Sequence, residues 1–350
     1  MKILVTGGAG FIGTHTCVAL IEKGFEIVVL DSYVNSHEKA IKCVEEIVSD
    51  NDSKNHNCIE VIEGDIRNEE ILEKLFFKYQ SIGKPIEAVL HFAGLKSVAE
   101  SILNPFNYWD VNVNGSIKLI SVMNRYKCRT IVFSSSATIY ALSNSQALLE
   151  DSKIKPINPY GSNKFVIEQL LKNVYDSCPE KWRIANLRYF NPIGAHPSGL
   201  IGDAPLDIPN NLFPFITQVA AGKREKLIVF GNDWPTSDGT GVRDYIHVMD
   251  LAEGHIASLE YLLNHEPQII NFNLGTGKGT SVLELINMFE LVNDIKIPYE
   301  FSSRRDGDLP SVIADNSKAV SYLNWFPKRS LEQMCFDGWK WQSLNPQGYL

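Results

Sequence analysis

Tyr160 and Lys164 lie four residues apart in Pro159-Tyr160-Gly161-Ser162-Asn163-Lys164, a spacing that puts both side chains on one face of a helix. A free tyrosine ionises near pH 10, so it is a poor base at neutral pH. A neighbouring ammonium favours the phenolate; lowering the pKa by about 3 units needs about 4 kcal/mol of differential stabilisation. The spacing alone arises by chance, but its position gives it weight. It follows a strand ending in Ser134-Ser135-Ser136-Ala137-Thr138, where Ser136 or Thr138 could hydrogen-bond a reacting hydroxyl and set its angle. Tyr160, Lys164, Ser136 and Thr138 are therefore the candidate catalytic residues.

A second group is suited to phosphates. Thr6-Gly7-Gly8-Ala9-Gly10-Phe11-Ile12-Gly13 follows a short apolar run and opens a helical one. Gly7 can make the tight turn, Gly10 can let backbone approach a pyrophosphate, and Gly13 can let helix pack on strand. The helix N-terminus presents free N–H groups to the phosphates. Asp31 lies 18 residues past Gly13, where an acid can accept from both hydroxyls of an adenosine ribose. It would repel a 2′-phosphate, so the cofactor expected is NAD rather than NADP. Gly64-Asp65-Ile66 and Phe92-Ala93-Gly94 close two further strands. They fall at the carboxyl ends of strands, where open α/β sheets bind ligands.

The elements that must position these groups alternate. Strand-like runs are expected at Lys2–Thr6, 26–30, Ile59–Glu63, 86–92, 130–133 and 183–190. Helices are expected from 11 to 23 and near 39–49, 69–79, 114–125 and 159–176. Continuous apolar runs such as 86–92 suit strands buried on both faces. The alternation predicts an α/β fold built on a doubly wound parallel sheet. After Phe190 the character changes, with Pro192, Pro197, Pro205, Pro209, Pro214 and Pro235 among many glycines. That stretch should be loop-rich with short elements, and a domain boundary is expected near residue 191.

Composition excludes other classes. The 350 residues carry a net charge of −8 and no basic block, against a nucleic-acid partner. No run of 18 apolar residues exists, so no membrane span is expected. Ile3-Leu4-Val5 is too short for a signal-peptide core. Six scattered cysteines without C-x-x-C point to reduced, mostly buried thiols in a reducing, cytoplasmic compartment. Eight histidines show no ligand spacing, so no metal is expected.

The glycine fingerprint, the strand-end serines and the Tyr160/Lys164 pair together resemble the short-chain dehydrogenase/reductase superfamily in its extended form. The second half narrows this. It contains Tyr189-Phe190-Asn191-Pro192, Gly194-Ala195-His196-Pro197-Ser198-Gly199, Ile208-Pro209-Asn210-Asn211-Leu212 and Phe230-Gly231-Asn232-Asp233. Then come Asp238-Gly239-Thr240-Gly241-Val242-Arg243-Asp244-Tyr245-Ile246-His247-Val248, Arg304-Arg305-Asp306-Gly307-Asp308-Leu309-Pro310 and the closing WKWQSLNPQGY. Over nearly its whole length the chain resembles the UDP-glucose 4-epimerase family.

The resemblance implies a Rossmann-type NAD-binding domain over 1–191 and a smaller, loop-rich α/β UDP-sugar domain over 192–350, with room for some later segments to pack back on the first domain. It implies that a positive nicotinamide ring joins Lys164 in favouring the Tyr160 phenolate. It adds Phe11, Ile12, Asn35, Ser36, Asn112 and Ser134 to the cofactor residues, with Tyr189 lining the nicotinamide pocket. Lys96 would reach the nicotinamide-side phosphate or ribose and also lie near the substrate. Asn191 and Asn211 would contact the sugar-proximal phosphate and nearby groups, with Leu212 backbone alongside and Phe190 adjacent. Arg243 and Arg305 would hold the diphosphate, which suits the guanidinium fork, with Tyr245 beside them. Asp308 would bind the uridine ribose, and Ile228, Val229 and Phe230 would flank uracil. The reaction implied is inversion at C4 of UDP-galactose or UDP-glucose through a transient 4-keto sugar, the hydride returning from the same cofactor. A homodimer is implied through helices 107–125 and 160–176.

Three departures stand out. Tyr140 is followed by Ala141 where the family commonly has glycine. Residues 142–158 show little resemblance. Val312 stands where a bulky tyrosine is linked to rejection of N-acetylhexosamines; either the smaller side chain admits UDP-N-acetyl sugars as additional substrates, or backbone and neighbours close the space. Gly275-Thr276-Gly277 could mimic a second phosphate loop but is read as a structural turn. A dehydratase is disfavoured because Ile139-Tyr140, not acids, follow Thr138. A decarboxylase is disfavoured because Ala137 stands where glutamate is common. A non-enzymatic NAD sensor would not require Tyr160, Lys164 and the serines together.

Overall fold

Runs such as Lys-Ile-Leu-Val-Thr and Glu-Ile-Val-Val-Leu-Asp are short, apolar and buried almost throughout, and they form the middle of the molecule. In a computed structural model of the chain, residues 1–51, 58–141, 147–206, 209, 211–305 and 307–350 are described. Seven strands build the main sheet: β1 (Lys2–Thr6), β2 (Glu26–Asp31), β3 (Ile59–Glu63), β4 (Ile86–His91), β5 (Thr130–Ser136), β6 (Arg183–Tyr189) and β7 (Gln268–Leu274). They lie in the order β3-β2-β1-β4-β5-β6-β7, all neighbours parallel. The order reverses between β1 and β4, which opens a crevice at the carboxyl ends of those strands.

Helices cover both faces. Phe11–Glu22 and Glu38–Asn51 pack with Val248–Asn264 over one core, which holds Val18, Val44, Val29 and Leu259. Glu69–Ser81, Gly115–Arg125 and Pro159–Ser177 pack over the other, with Leu72, Leu119, Phe133 and Ile167. The expected elements are present, and two differ in a way that matters. First, β5 runs on through Ser136 rather than stopping at 133, because Ser134, Ser135 and Ser136 pair with Leu187, Arg188 and Tyr189. Second, the helix expected from 114 is preceded by a π-helical turn, Trp109–Asn114.

The proline-rich half has short strands. Asn191–Ile193 pairs with Tyr245–His247, Leu227–Phe230 with Tyr299–Ser302, and Val242–Arg243 with both Thr280–Ser281 and Ser311–Val312. A separate core of Phe213, Ile216, Val229, Tyr245, Phe289 and Met334 supports them. Helix Val248–Asn264 and β7 return to the first layer. No helix among the described residues is long and apolar enough to cross a membrane. All six cysteines are unpaired; Cys17, Cys128 and Cys335 are buried and the other three only partly so, fewer buried than expected.

Candidate active site

The crevice at the β1/β4 reversal is a cavity of about 340 Å³. Its wall brings together Gly7, Gly10, Phe11, Ile12, Gly13, Asp31, Asn35, Ser36, Asp65, Ile66, Phe92, Ala93, Gly94, Lys96 and Ser134. At its floor and far end are Ser136, Thr138, Tyr160, Lys164, Tyr189, Phe190, Asn191 and Asn211. The glycines have identifiable reasons. Gly7 has φ +71°, and a Cβ there would lie 2.6 Å from the Ala93 nitrogen; one on Gly13 would lie 2.4 Å from the Gly7 carbonyl oxygen. A Cβ on Gly10 would meet only that carbonyl, at 3.4 Å, so its bare Cα is open to a ligand.

Asp31 is buried and held in place. Ala9 N–H donates to its Oδ2 at 2.8 Å, while Tyr33 N–H and the Ser36 hydroxyl donate to Oδ1 at 3.0 and 2.8 Å. Oδ2 keeps acceptor capacity for a further hydroxyl. Asp65 is clamped by Arg67, whose Nη2 lies 2.6 Å away, and Arg67 also donates to Asp110. These bonds lower the Asp65 pKa against the opposing effect of burial. Arg67 lines the cavity, and sequence reasoning did not single it out.

The candidate catalytic residues lie where β5 meets helix Pro159–Ser177. Asn158 caps that helix by accepting from Gly161 N–H at 2.8 Å, with proline at the first helical position, as caps favour. A Cβ on Gly161 would lie 2.7 Å from the Thr138 carbonyl oxygen, so glycine permits the close approach of helix to strand end. Thr138 donates its hydroxyl to Ser136 at 3.0 Å. Lys164 Nζ donates to the Ser134 carbonyl at 2.6 Å and stands 5.8 Å from the Tyr160 ring centroid.

The expected lowering of the Tyr160 pKa is not met by the protein alone. Burial pushes the phenol up to about 12, opposed by a hydrogen bond with Ser136. Burial also lowers Lys164 to about 8. The reason is geometric: the ammonium is engaged with a backbone carbonyl rather than with the phenol oxygen. Tyr189 bonds to His255, whose pKa burial lowers to about 4. His255 Nδ1–H donates to the Leu251 carbonyl at 2.8 Å, which leaves Nε2 to accept from the Tyr189 hydroxyl.

A buried ionic network stands behind this group. Arg188 makes a two-pronged contact with Glu168 at 3.0 and 2.7 Å and donates to the Tyr140 hydroxyl at 3.0 Å. Ser135 also donates to Glu168, at 2.5 Å. Glu168 is one turn beyond Lys164, so the network ties helix Pro159–Ser177 to β5 and β6. Ala141 N–H donates to the Lys153 carbonyl at 2.8 Å, and the Glu150 carbonyl accepts from Arg188. The 147–158 stretch thus braces this network, while residues 142–146 lie outside the described residues.

Other expected residues fall elsewhere. Asn112 is not on the cavity wall; the π-helical turn aims its amide at Leu95, with Leu95 N–H to Oδ1 at 2.8 Å and Nδ2 to the Leu95 carbonyl at 3.1 Å. It shapes the Gly94-Leu95 turn from behind. Leu212 begins helix Leu212–Ala220 just behind Asn211, whose side chain does not cap it. Val229 belongs to the separate core of the proline-rich half, so its side chain is unavailable to uracil, while Ile228 is half-buried and Phe230 exposed.

Arg243, Tyr245, Arg305, Asp308 and Val312 form a second cluster beyond the cavity wall. Arg243 Nη2 is 3.6 Å and Arg305 Nε 3.0 Å from the Asp308 carboxylate. Arg305 also covers the Phe230 ring at 4.8 Å. Burial lowers the Arg243 pKa, and pushes the phenol of buried Tyr245 up to about 12. The clusters are joined by strand pairing, Asn191 opposite Tyr245 and Arg243 opposite Val312. Ile208, Asn210 and Asp306 of the quoted motifs lie outside the described residues. In Gly275-Thr276-Gly277, the Thr276 and Gly277 N–H groups donate to Asp244 at 2.7 and 2.9 Å, as a structural turn should. Gly202, Asp203, Ala204, Pro205 and Tyr349 also line the cavity; of these only Tyr349 had a sequence signal, the closing WKWQSLNPQGY string.

Comparison with known proteins identifies the family. A family model described as GDP-mannose 4,6 dehydratase matches residues 4–337. A UDP-glucose 4-epimerase of Bacillus subtilis is 49% identical over 349 residues, covering 100% of this chain and 99% of the relative. The chain belongs to the UDP-glucose 4-epimerase family. Solved members share its fold. The Stenotrophomonas maltophila UDP-glucose 4-epimerase, with bound NAD and formylated UDP-arabinopyranose, has a TM-score of 0.93 at 43% identity and covers 99% of both chains. The Bifidobacterium longum enzyme, in complex with NAD+ and UDP, has a TM-score of 0.91 at 41% identity, covering 99% of this chain and 100% of that one.

Proposed function

We propose that this member of the epimerase family reversibly interconverts UDP-galactose and UDP-glucose by inversion at C4, using a resident NAD. The observation that carries the reading is one continuous cavity with a glycine cradle at one end and Tyr160, Lys164 and Ser136 on its floor. Space denied to a Cβ at Gly7 and Gly13, an open Gly10 and an oriented Asp31 fit a dinucleotide without a 2′-phosphate. When bound, the nicotinamide would supply the hydride acceptor for C4 in its oxidised form, with a positive charge near Tyr160, and the hydride donor in its reduced form.

The chain's own residues manage the proton. A phenol at about 12 is a weak base until a cation joins it. Tyr160 then takes the 4-hydroxyl proton and later returns it, while Ser136 and Thr138 orient the oxygen. Lys164, at about 8, is still mostly charged at neutral pH. The 4-keto sugar turns over within the site while grip stays on the UDP. Asn191 and the uncapped start of helix Leu212–Ala220 suit one phosphate, and Arg243 and Arg305 suit the diphosphate once they leave Asp308. Remote binding energy of this kind retains the intermediate.

The test uses purified protein and UDP-galactose with no added NAD, followed by proton NMR. Appearance of UDP-glucose is expected; no conversion even after NAD is added would refute the reading. N-acetyl substrates are part of the proposal. Val312 packs with Phe190, which lines the cavity, and leaves more room than tyrosine. UDP-N-acetylglucosamine should therefore be converted, and Val312→Tyr should suppress that activity alone. A homodimer is proposed from the apolar side chains of Leu103 and Phe106, 85% and 86% exposed. Phe106→Glu should then halve the mass in light scattering. The unpaired thiols favour a reducing, cytoplasmic setting.

A further inference from the structure

Residues 202–205 cross the mouth of the cavity, and their backbone is held from 140 residues away. On one bank, Asp203 lies 3.6 Å from Lys96, which follows β4. On the other, the Tyr349 ring packs with Ala40, Cys43 and Trp341 and stands 6.4 Å from the His37 ring, near Asp31. The pins between are specific. The Tyr349 hydroxyl accepts from Gly202 N–H at 3.1 Å and donates to the Gly202 carbonyl at 3.2 Å. Trp341 Nε1–H donates to the Asp203 carbonyl at 3.3 Å, and Asn345 Nδ2–H to the Gly199 carbonyl at 2.9 Å. A Cβ on Gly202 would lie 2.3 Å from Trp341, so this crossing is fitted to the indole face.

We infer that residues 202–205 form a strap over the dinucleotide, and that Tyr349 is a positioning residue whose two bonds to Gly202 set how fast cofactor leaves. The inference rests on the reading that the cavity holds NAD. Gly202, Asp203, Ala204, Pro205 and Tyr349 all face that cavity, so a molecule lying along the β1/β4 crevice is covered between Lys96 and His37. Release then requires the strap to lift, which breaks the Tyr349 bonds and the Lys96–Asp203 pair together. Among the described residues no hydrogen bond or ion pair joins Ser136, Thr138, Tyr160 or Lys164 to the strap, so retention and chemistry are separable.

The experiment measures NAD release from the holoenzyme, by trapping released cofactor and quantifying what each protomer retains. Tyr349→Phe keeps the ring and removes both hydrogen bonds; release about tenfold faster is expected. Tyr349→Ala also removes the packing and should release faster still, with turnover that becomes dependent on added NAD. Thermal unfolding of the stripped proteins separates retention from folding, because a merely structural role would lower the melting point without speeding release from Tyr349→Phe. Wild-type release rates in both folded variants would overturn the strap while leaving the NAD reading intact. A wild-type protein that neither carries nor takes up NAD would overturn both.

Discussion

At the dinucleotide end of the cavity, Gly7 and Gly13 have no room for a Cβ, and Asp31 is oriented by three hydrogen bonds before any ligand arrives. Beyond the cavity wall, Arg243 on a two-residue strand and Arg305 in a loop both turn to Asp308 of their own chain, and Arg305 also covers Phe230. The first end is shaped by backbone within a buried sheet, whose geometry the register dictates. The second is shaped by long side chains that must exchange partners. Partly exposed arginine–carboxylate pairs contribute about 0–1 kcal/mol each, so handing the guanidinium groups to a diphosphate costs little. A site built this way retains one ligand and trades the other.

The sharpest separation comes from Tyr160→Phe. Loss of the general base should lower turnover about 10³-fold, while the NAD retained after gel filtration stays at the wild-type level. Turnover within tenfold of wild type would remove Tyr160 from the proton path.

Lys164 tests how much strain the preformed end stores. Burial lowers its pKa from 10.5 to about 8. Between those values the folded chain binds fewer protons than the unfolded one, so stability rises with pH across the window. Below pH 8 the buried ammonium costs about 3 kcal/mol. Lys164→Met should therefore raise the denaturant midpoint of the stripped protein at pH 7, an advantage that fades towards pH 10.5, while turnover collapses. An unchanged midpoint at pH 7 would mean that the lysine's surroundings are more polar than its burial implies.

The smallest effect belongs to the exchangeable end. Arg243→Met should raise the KM for UDP-galactose about 10- to 100-fold, the range for one lost charge-assisted contact, and leave retained NAD unchanged. Equal loss of NAD would show that the two ends are not independent.

What the sequence disclosed follows the same divide. Gly7, Gly10, Gly13 and Asp31 are legible because their reasons are local: a turn, a close approach, a strand end. The apolar runs of β1, β2 and β4 are legible because both faces are buried. Four features were not. The apolar run of β5 stops at 133, and how far the serines carry on the strand is set by the partners that β6 offers them. Asn112 reads as a ligand contact, and only the π-helical turn shows it braced against Leu95. The Tyr160 pKa depends on the depth of burial and on where the Lys164 ammonium points, neither of which the four-residue spacing specifies. Tyr349 meets Gly202 across 147 positions, and no local pattern announces such a contact.

The return of β7 to the edge of the main sheet has a consequence for biosynthesis. During translation, β6 is complete at residue 189, but the partner for its outer edge ends at residue 274. For the synthesis of some 85 residues, the nascent sheet presents unpaired N–H and C=O groups along β6, which another chain could pair with. Conditions that stall ribosomes in this interval should divert this protein into aggregates, whereas stalls after residue 274 should not.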